Sequence, residues 1–483
     1  TFTPPAGMQF AAWQLLTTSS DFPVEYPAGA EVDLGTFIAD VVEFEAVWEE
    51  TPEEPDEPDY PSVPDGSGGS SGGATEEIRV DNQLNLPGNS SDTILWPLDT
   101  TEKNGTSTTT IRDEELQALI DLAQKHEADA ENLDGDGFKE GIILIEDLKA
   151  TSKNNTYILN ITEKQFDILV AEDWDRLTVA TPAGNFGLYG SALEELENRT
   201  DKGDVSFQLD RLTHAGRPGL DATLLVDGKA VTSFEEPYGI QLMVPYTPAS
   251  GEDVNAVAVD YLPENGEPVP VTECYYDENK EGVVLHSSHL SKFGVVYRPA
   301  TFTDVTASHW ANPYVTFLTA RGILTVSDGS AFRPDDAVTR GETLELFARA
   351  LSAAKLPANP VQVYSDIPTS FSVAKAASWA YYNNLSGSIA NGSSYRPNES
   401  ITREDMAALL GDISTGVGLR LRSKGLDTGY NDMNEIAGYA QNSVKRLRAA
   451  GILEMPSSYR FYPDSTLTRG ELAQILSLLL SNI

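Results

Sequence analysis

Apolar residues return at helical spacing three times in the last third of the chain. Leu346, Phe347, Ala350 and Leu351 form one stripe, Met406, Leu409 and Leu410 a second, and Leu472, Ile475, Leu476 and Leu479 a third. Each stripe opens on Thr-x-x-acid: Thr339 with Glu342, Thr402 with Asp405, Thr468 with Glu471. In such a capping box the Thr hydroxyl takes the amide three residues on, and the acid reaches back to the Thr amide, so three helices are predicted to start there. Upstream the pattern changes to alternation, at 157–161, 177–181, 205–209, 222–226, 240–244, 256–261 and 283–285, which predicts a multidomain chain with a β-rich, α+β or β-sandwich-like region over 77–300 as one or two subdomains. Short helices are predicted within it at Thr110-x-x-Asp113, Thr162-x-x-Gln165 and Ser191-x-x-Glu194. Residues 1–50 read as strands punctuated by Phe2, Phe10, Trp13, Tyr26, Phe44 and Trp48. Between them and the β-rich region, 51–76 is a linker, stiff where Pro52 to Pro64 alternate with acids and flexible through the Gly/Ser run that follows.

The three helical stripes belong to a repeat. Arg340, Arg403 and Arg469 follow the box Thr in each copy and lie 63 residues apart (340 to 403) and 66 apart (403 to 469). Each copy also carries an aromatic-x-Asp step, Phe302/Asp304, Tyr364/Asp366 and Tyr430/Asp432, and an aromatic-x-Pro turn at Phe332, Tyr395 and Phe461. Units of this period stack to share a core. The capping box explains the Thr and the acid but not the Arg. A cation at the first helical position opposes the helix dipole by roughly a few tenths of a kcal/mol. Two readings follow. The Arg forms an ion pair within the protein, with Asp304, Asp366 or Asp432 locking one repeat onto the next. Alternatively it builds an anion site, where a fork-shaped guanidinium and helix-start amides grip a carboxylate or phosphate.

Residues 301–483 resemble three tandem S-layer homology (SLH) modules, at about 301–354, 363–415 and 429–483. The resemblance rests on the aromatic-x-Asp openings, Trp310-Ala311 and Trp379-Ala380, Gly322-Ile323 and Gly451-Ile452, and the three boxes. It implies an all-α, pseudo-threefold assembly whose grooves bind an anionic, often pyruvylated, secondary cell-wall polymer. The groove residues it implies are Arg340, Arg403, Arg469, Asp304, Asp366, Asp432, Trp310, Trp379 and Tyr439. Tyr439-Ala440 replaces Trp-Ala in the third module, and Val326 and Met455 stand where the family has a Gly. The second module reads Leu385-Ser-Gly-Ser-Ile without an evident Gly-Ile step. Such side chains fill space a sugar needs, so some modules are expected to be structural. Residues 1–50, with Tyr26-Pro-Ala-Gly29 and Phe44-Glu-Ala-Val-Trp48, resemble the latter half of a Listeria–Bacteroides (internalin B-type) repeat, which implies a β-grasp-like spacer. The stretch from His289 to Tyr297 resembles the segment that precedes SLH modules in surface proteins of Gram-positive bacteria.

Composition narrows the partners. Asp and Glu number 74 against 33 Lys and Arg, a net charge of −41, which opposes nucleic-acid binding. The excess is uneven: 16 basic against 17 acidic residues from 301 onward leave 17 against 57 before it. The near-neutral part is the one expected to meet an anionic polymer. A single cysteine, Cys274, forbids an internal disulfide, and no apolar run reaches membrane-spanning length. The opening Thr1-Phe2-Thr3 reads as the interior of a domain, as in a processed piece of a longer secreted protein. Asn132, Asp134 and Asp136 resemble the front of a calcium loop, but position 143 holds Ile143 instead of the bidentate acid. His286 and His289 near Cys274 fall on opposite faces of a strand, which disfavours a shared zinc. Hydrolase, metalloprotease and nucleotide-loop motifs are absent, and acid pairs such as Glu235/Glu236 or Glu172/Asp173/Asp175 read as solvated faces. The expectation is a non-enzymatic, extracellular wall-anchored protein with no cofactor, or else a surface-layer subunit whose altered modules pack protein on protein; a third reading, an enzyme anchored by the same modules, would place its catalysis in 77–300 or in a part preceding Thr1.

Overall fold

The structure, a computed structural model, describes residues 8–15, 24–27, 44–50, 100–113, 116, 117, 120, 140–144, 154–172, 174–199, 202–325, 329–351, 355–419, 421, 423, 424, 426, 429–454 and 458–483. The chain divides into Thr1–Thr75 and Glu76–Ile483. Within the first unit, strand Met8–Leu15 lies between Val24–Pro27 and Phe44–Glu50, antiparallel to both. The calcium-like triplet Asn132, Asp134 and Asp136 lies outside the described residues, as do Val326 and Met455.

The second unit begins β-rich and ends helical. Its larger sheet runs, edge to edge, Val269–Pro270, Val257–Leu262, Lys292–Tyr297, Arg217–Val226, Val205–His214, Thr156–Ile161, Thr106–Thr110 and Thr100–Lys103, with Lys229–Val231 added to Arg217–Val226. The other sheet runs Cys274–Asp277, Gly282–Ser287, Ile240–Pro245, Gly184–Tyr189, Arg176–Thr181 and Glu140–Leu144. Alternation holds in the larger sheet: Tyr157, Leu159 and Ile161 face the core, as do Val205, Phe207 and Leu209 opposite them. In the smaller sheet it holds along Ile240–Pro245 but fails in Arg176–Thr181 and Gly282–Ser287, where every residue is buried on whichever face it points. Helix α1 (Glu163–Val170) starts from the expected box at Thr162, closed by Gln165 on both sides. Helix α2 (Gly190–Glu197) corrects the Ser191 expectation. It starts two residues early, capped from Tyr189 without a side-chain bond, because the Gly190 amide is already held by the Asp175 carbonyl at 3.0 Å.

Each C-terminal repeat supplies two helices: α3 (Asn312–Ala320) and α4 (Arg340–Ala350), α5 (Ala374–Tyr382) and α6 (Arg403–Gly416), α7 (Gln441–Ala449) and α8 (Arg469–Leu480). The second helix of each repeat packs on the first helix of the next, α4 on α5, α6 on α7, and α8 back on α3. At the centre three backbone bonds close the ring. Val338 N–H donates to the Leu467 carbonyl (3.0 Å), Leu467 to Ile401 (3.0 Å) and Ile401 to Val338 (3.1 Å). All three side chains are fully buried in one apolar core that runs through all six helices. Threefold order therefore comes from one short extended stretch per repeat, just ahead of each box.

The ring is fastened to the β-rich region at its first repeat. Arg321, at the C-terminal end of α3, is 1% exposed and inserts between strands. It donates to the carbonyls of Cys274 (2.5 Å), Asn255 (3.2 Å), Val257 (3.0 Å) and Phe317 (2.9 Å). Arg298 braces the same seam, with both Asp260 carboxylate oxygens at 2.6–2.7 Å and the Ala320 carbonyl at 3.5 Å. No helix among the described residues is long and apolar enough to cross a membrane.

Candidate functional site

The box arginines act between repeats. Arg340 reaches from the first repeat to the second, where its Nε donates to the Tyr395 carbonyl (2.9 Å) and its Nη2 to the Ile389 carbonyl (2.5 Å). Its Nη1 pairs with Asp405. Arg403 reaches from the second repeat to the third, with Nε on the Phe461 carbonyl (2.8 Å) and Nη1 3.5 Å from Glu471. Arg469 closes the circle, with Nε on the Phe332 carbonyl (3.0 Å) and Nη1 3.5 Å from Glu342. Each guanidinium also lies over the aromatic ring whose carbonyl it holds, at 5.3, 5.1 and 5.0 Å from the centroid. The dipole mismatch at the first helical position is thus offset by an acid of the next repeat. That partner is the next box acid, not Asp304, Asp366 or Asp432.

Those three aspartates hold the aromatic-x-Pro turns. Asp304 accepts the amides of Phe332 (2.8 Å) and Arg333 (2.7 Å). Asp366 accepts those of Tyr395 (3.0 Å) and Arg396 (2.6 Å), and Asp432 those of Phe461 (2.7 Å) and Tyr462 (2.8 Å). The second residue of each pair sits at φ near +60°, a strained geometry that a paired carboxylate acceptor compensates. Burial pushes the Asp304 and Asp366 carboxyls up, but the amides more than offset it and hold both below the usual range. Repeated aspartate here is turn chemistry.

Helix-start amides, expected as part of an anion site, are filled from the neighbouring turn. The Arg340 and Gly341 amides donate to the carbonyls of Glu399 and Pro397, those of Arg403 and Glu404 to Ser465 and Pro463, and those of Arg469 and Gly470 to Asp336 and Pro334. The third amide goes to the box Thr, at 3.1, 3.2 and 3.2 Å for Glu342, Asp405 and Glu471. Glu342 and Glu471 return the bond to the Thr amide at 3.0 and 2.8 Å; the shorter Asp405 forms only half a box. Any anion is therefore met by side chains, not by the helix dipole.

The aromatic positions separate. Trp310 is 48% exposed and rests against Gly470, where a β-carbon would lie 2.9 Å from its ring, so only glycine lets the indole approach. Tyr439 is likewise exposed and donates to Asp405 Oδ1 (2.8 Å) and Glu404 Oε1 (3.3 Å). Burial and those carboxylates push its hydroxyl pKa up. Both residues stand two places before a first helix, and the residue so placed in the second repeat is Ser372. Trp379 lies inside α5, buried in the core, and is not a groove residue. The second repeat also keeps the Gly-Ile step in another form. Gly322 and Gly451 end α3 and α7 at φ 70° and 72°, and Asn384 does the same after α5 at 57°, followed by Leu385. Asn is the non-glycine residue most at ease there.

Arg403 opens onto a cleft of about 330 Å³. Its wall includes Ile452, Glu454, Arg460, Tyr462, Glu471 and Gln474. Arg460 binds both oxygens of Glu435 at 2.8 Å and lies 5.5 Å from the Tyr462 ring centroid, which half-exposes a flat aromatic beside two cations. By contrast the cavity beside Arg469 is about 10 Å³ and apolar, and Arg340 is 1% exposed. Arg460, Tyr462 and Gln474 were not anticipated; the signal was that Arg460 stands where the other turns carry Ala331 and Ser394.

Elsewhere, the Tyr395 hydroxyl is buried without a partner, where the other repeats have Phe332 and Phe461. Tyr395→Phe is expected to leave stability unchanged or raise it by up to ~1 kcal/mol, read from the urea midpoint. A loss above that size would show that the hydroxyl holds a partner. His286, Cys274 and His289 take separate roles. Burial, reinforced by Arg176, pushes His286 down to about 3, and it contacts Tyr189 and Gln241. Cys274 donates to the Val271 carbonyl, and His289 packs on Tyr261 and Phe293. Among the described residues no three His, Cys, Asp or Glu side chains group as a metal site.

A closed ring of three two-helix repeats, each gripping the next by a box arginine, defines a three-module helical assembly. The S-layer homology domain family matches residues 301–344, 363–407 and 429–473, so the chain carries three S-layer homology domains at its C-terminal end. Curated relatives share limited lengths. An endoglucanase of Bacillus sp. (strain KSM-635) is 29% identical over 185 residues, 37% of this chain and 18% of that protein. Exoglucanase XynX of Acetivibrio thermocellus is 28% identical over 183 residues, 38% and 16%. The cellulosome-anchoring protein of Acetivibrio thermocellus is 25% identical over 158 residues, 31% and 33%. The chain thus spans a third or less of these relatives.

Proposed function

We propose that residues 301–483 attach this chain to the outside of a bacterial cell wall by binding an anionic polymer in the Arg403 cleft. The observation that carries this is the open cleft beside a box arginine whose acid partner sits at 3.5 Å, at the limit of a hydrogen bond. A guanidinium so loosely paired can turn its fork to an incoming carboxylate. Tyr462 supplies an apolar face for a sugar ring, and Arg460 a second positive charge. A pyruvate ketal, which places one carboxylate on a sugar, fits that combination. The family match and the relative named as an anchoring protein support surface attachment; the polymer itself is the finer part of the reading. The β-rich region and the N-terminal strands would be the displayed portion, without catalysis of their own.

The test is co-sedimentation of the full chain with purified walls. Arg403→Ala is expected to weaken retention about tenfold to a hundredfold, since a hydrogen bond to a charged group contributes roughly 1.5–3 kcal/mol. Walls stripped of pyruvate by mild acid should lose the wild-type chain equally. Undiminished retention of the variant would reject the cleft, and assembly of the chain into sheets without walls would favour a surface-layer subunit.

A further inference from the structure

We propose that Asp405 holds the first box arginine out of ligand binding, so that the three repeats are unequal by a one-methylene difference in the acid each arginine faces. The inference rests on the polymer-binding reading for its consequence, but its geometry is independent of any ligand. Arg340 faces Asp405, Arg403 faces Glu471 and Arg469 faces Glu342. The two glutamates use one oxygen on their own Thr amide and extend the other toward an arginine 3.5 Å away. Asp405 makes no such return bond. Its Oδ2 is on Arg340, in the closest of the three pairs, and its Oδ1 takes the Tyr439 hydroxyl at 2.8 Å.

One carboxylate thereby joins all three repeats: Arg340 from the first, Asp405 from the second, Tyr439 from the third. The result shows in exposure. The Arg340 side chain is 2% exposed, against 18% for Arg403 and 19% for Arg469. To meet a ligand, Arg340 would have to leave a carboxylate and two carbonyls inside the protein. A buried charge parted from its partner is strongly disfavoured. Asp405 is thus a positioning residue: it assigns Arg340 to the fold and leaves ligand contact to Arg403, which a glutamate opposes beside an open cleft.

The test is phenylglyoxal labelling of arginines in the full chain, read by mass spectrometry with and without a synthetic pyruvylated amino-sugar disaccharide. In the unmodified sequence Arg340 should label at least tenfold more slowly than Arg403. Asp405→Glu should bring Arg340 to within a few-fold of Arg469. The reciprocal swap Glu471→Asp should slow Arg403 several-fold and weaken its protection by the disaccharide, which keeps the test decisive should Asp405→Glu fail to fold. Equal labelling of Arg340 and Arg403 in the unmodified chain, or an unaltered Arg403 rate in folded Glu471→Asp, overturns the inference. If the rates separate as expected but the disaccharide protects no arginine, the polymer reading fails and this one stands.

Discussion

Arg321→Ala is expected to cost at least about 4 kcal/mol in folding stability and to loosen the β-rich region from the helical ring. The guanidinium is 1% exposed, and its identified partners are four backbone carbonyls, from Asn255, Val257, Cys274 and Phe317, on three different segments. Removing the donor leaves those carbonyls buried without it, at roughly 1–3 kcal/mol for each that water cannot reach. A further loss comes from the space left over the Phe317 ring, whose centroid lies 3.4 Å from the guanidinium carbon. Burial pulls the Arg321 pKa down from its ordinary value, yet a guanidinium stays charged in proteins. Lysine is not a repair, because one ammonium cannot fork to carbonyls on separate strands. Two readouts check this: a urea midpoint that falls in proportion, and chymotryptic cleavage after Tyr297 or Phe302 that appears before global unfolding. A change below about 1 kcal/mol, with no new cleavage, would show that Arg298 and Asp260 hold the seam alone.

Such a seam bears on function. If the ring binds wall polymer, a rigid first repeat fixes how the β-rich region stands relative to it. The bracing of the first repeat at this seam was not legible in the sequence, since Arg321 resembles any surface arginine at a helix end.

What was legible was local. Capping boxes, apolar stripes and the repeat register are set by residues within one turn of each other, and Thr339, Thr402 and Thr468 all cap a helix with their side chains, although only Glu342 and Glu471 return the bond. Partners across repeats were not legible, because ring closure decides them. That is why one of the two sequence readings pairs the aspartates with the arginines although they hold turns, and why the family resemblance puts Trp379 in a groove although α5 buries it. Asn384 carries no local signal of this kind, because Asn is common in many settings whereas glycine marks a left-handed helix end. In the β-rich region, alternation identified strands of both sheets and could not show that Arg176–Thr181 and Gly282–Ser287 are buried on both faces.

Arg340→Ala is expected to cost about 3–5 kcal/mol, while Arg403→Ala at the matching place in the next repeat costs about 1 kcal/mol. Identical motifs predict equal effects; the surroundings do not. Breaking a buried ion pair from one side leaves the other charge unpaired, which accounts for roughly 3–5 kcal/mol. Asp405 is that remaining charge, with a side chain 15% exposed and only Tyr439 left to offset it. Glu471 is 36% exposed and retains its bond to the Thr468 amide, so water and the cap absorb most of the loss beside Arg403. The Asp405→Asn partner variant separates charge from packing. Combined with Arg340→Ala it should recover about half of the loss, because no carboxylate is then stranded, whereas a purely steric cost would add to it. Urea denaturation of the four proteins supplies the cycle. Equal losses for Arg340→Ala and Arg403→Ala would mean that exposure does not distinguish the two pairs, and the division of labour among the repeats would have to be abandoned.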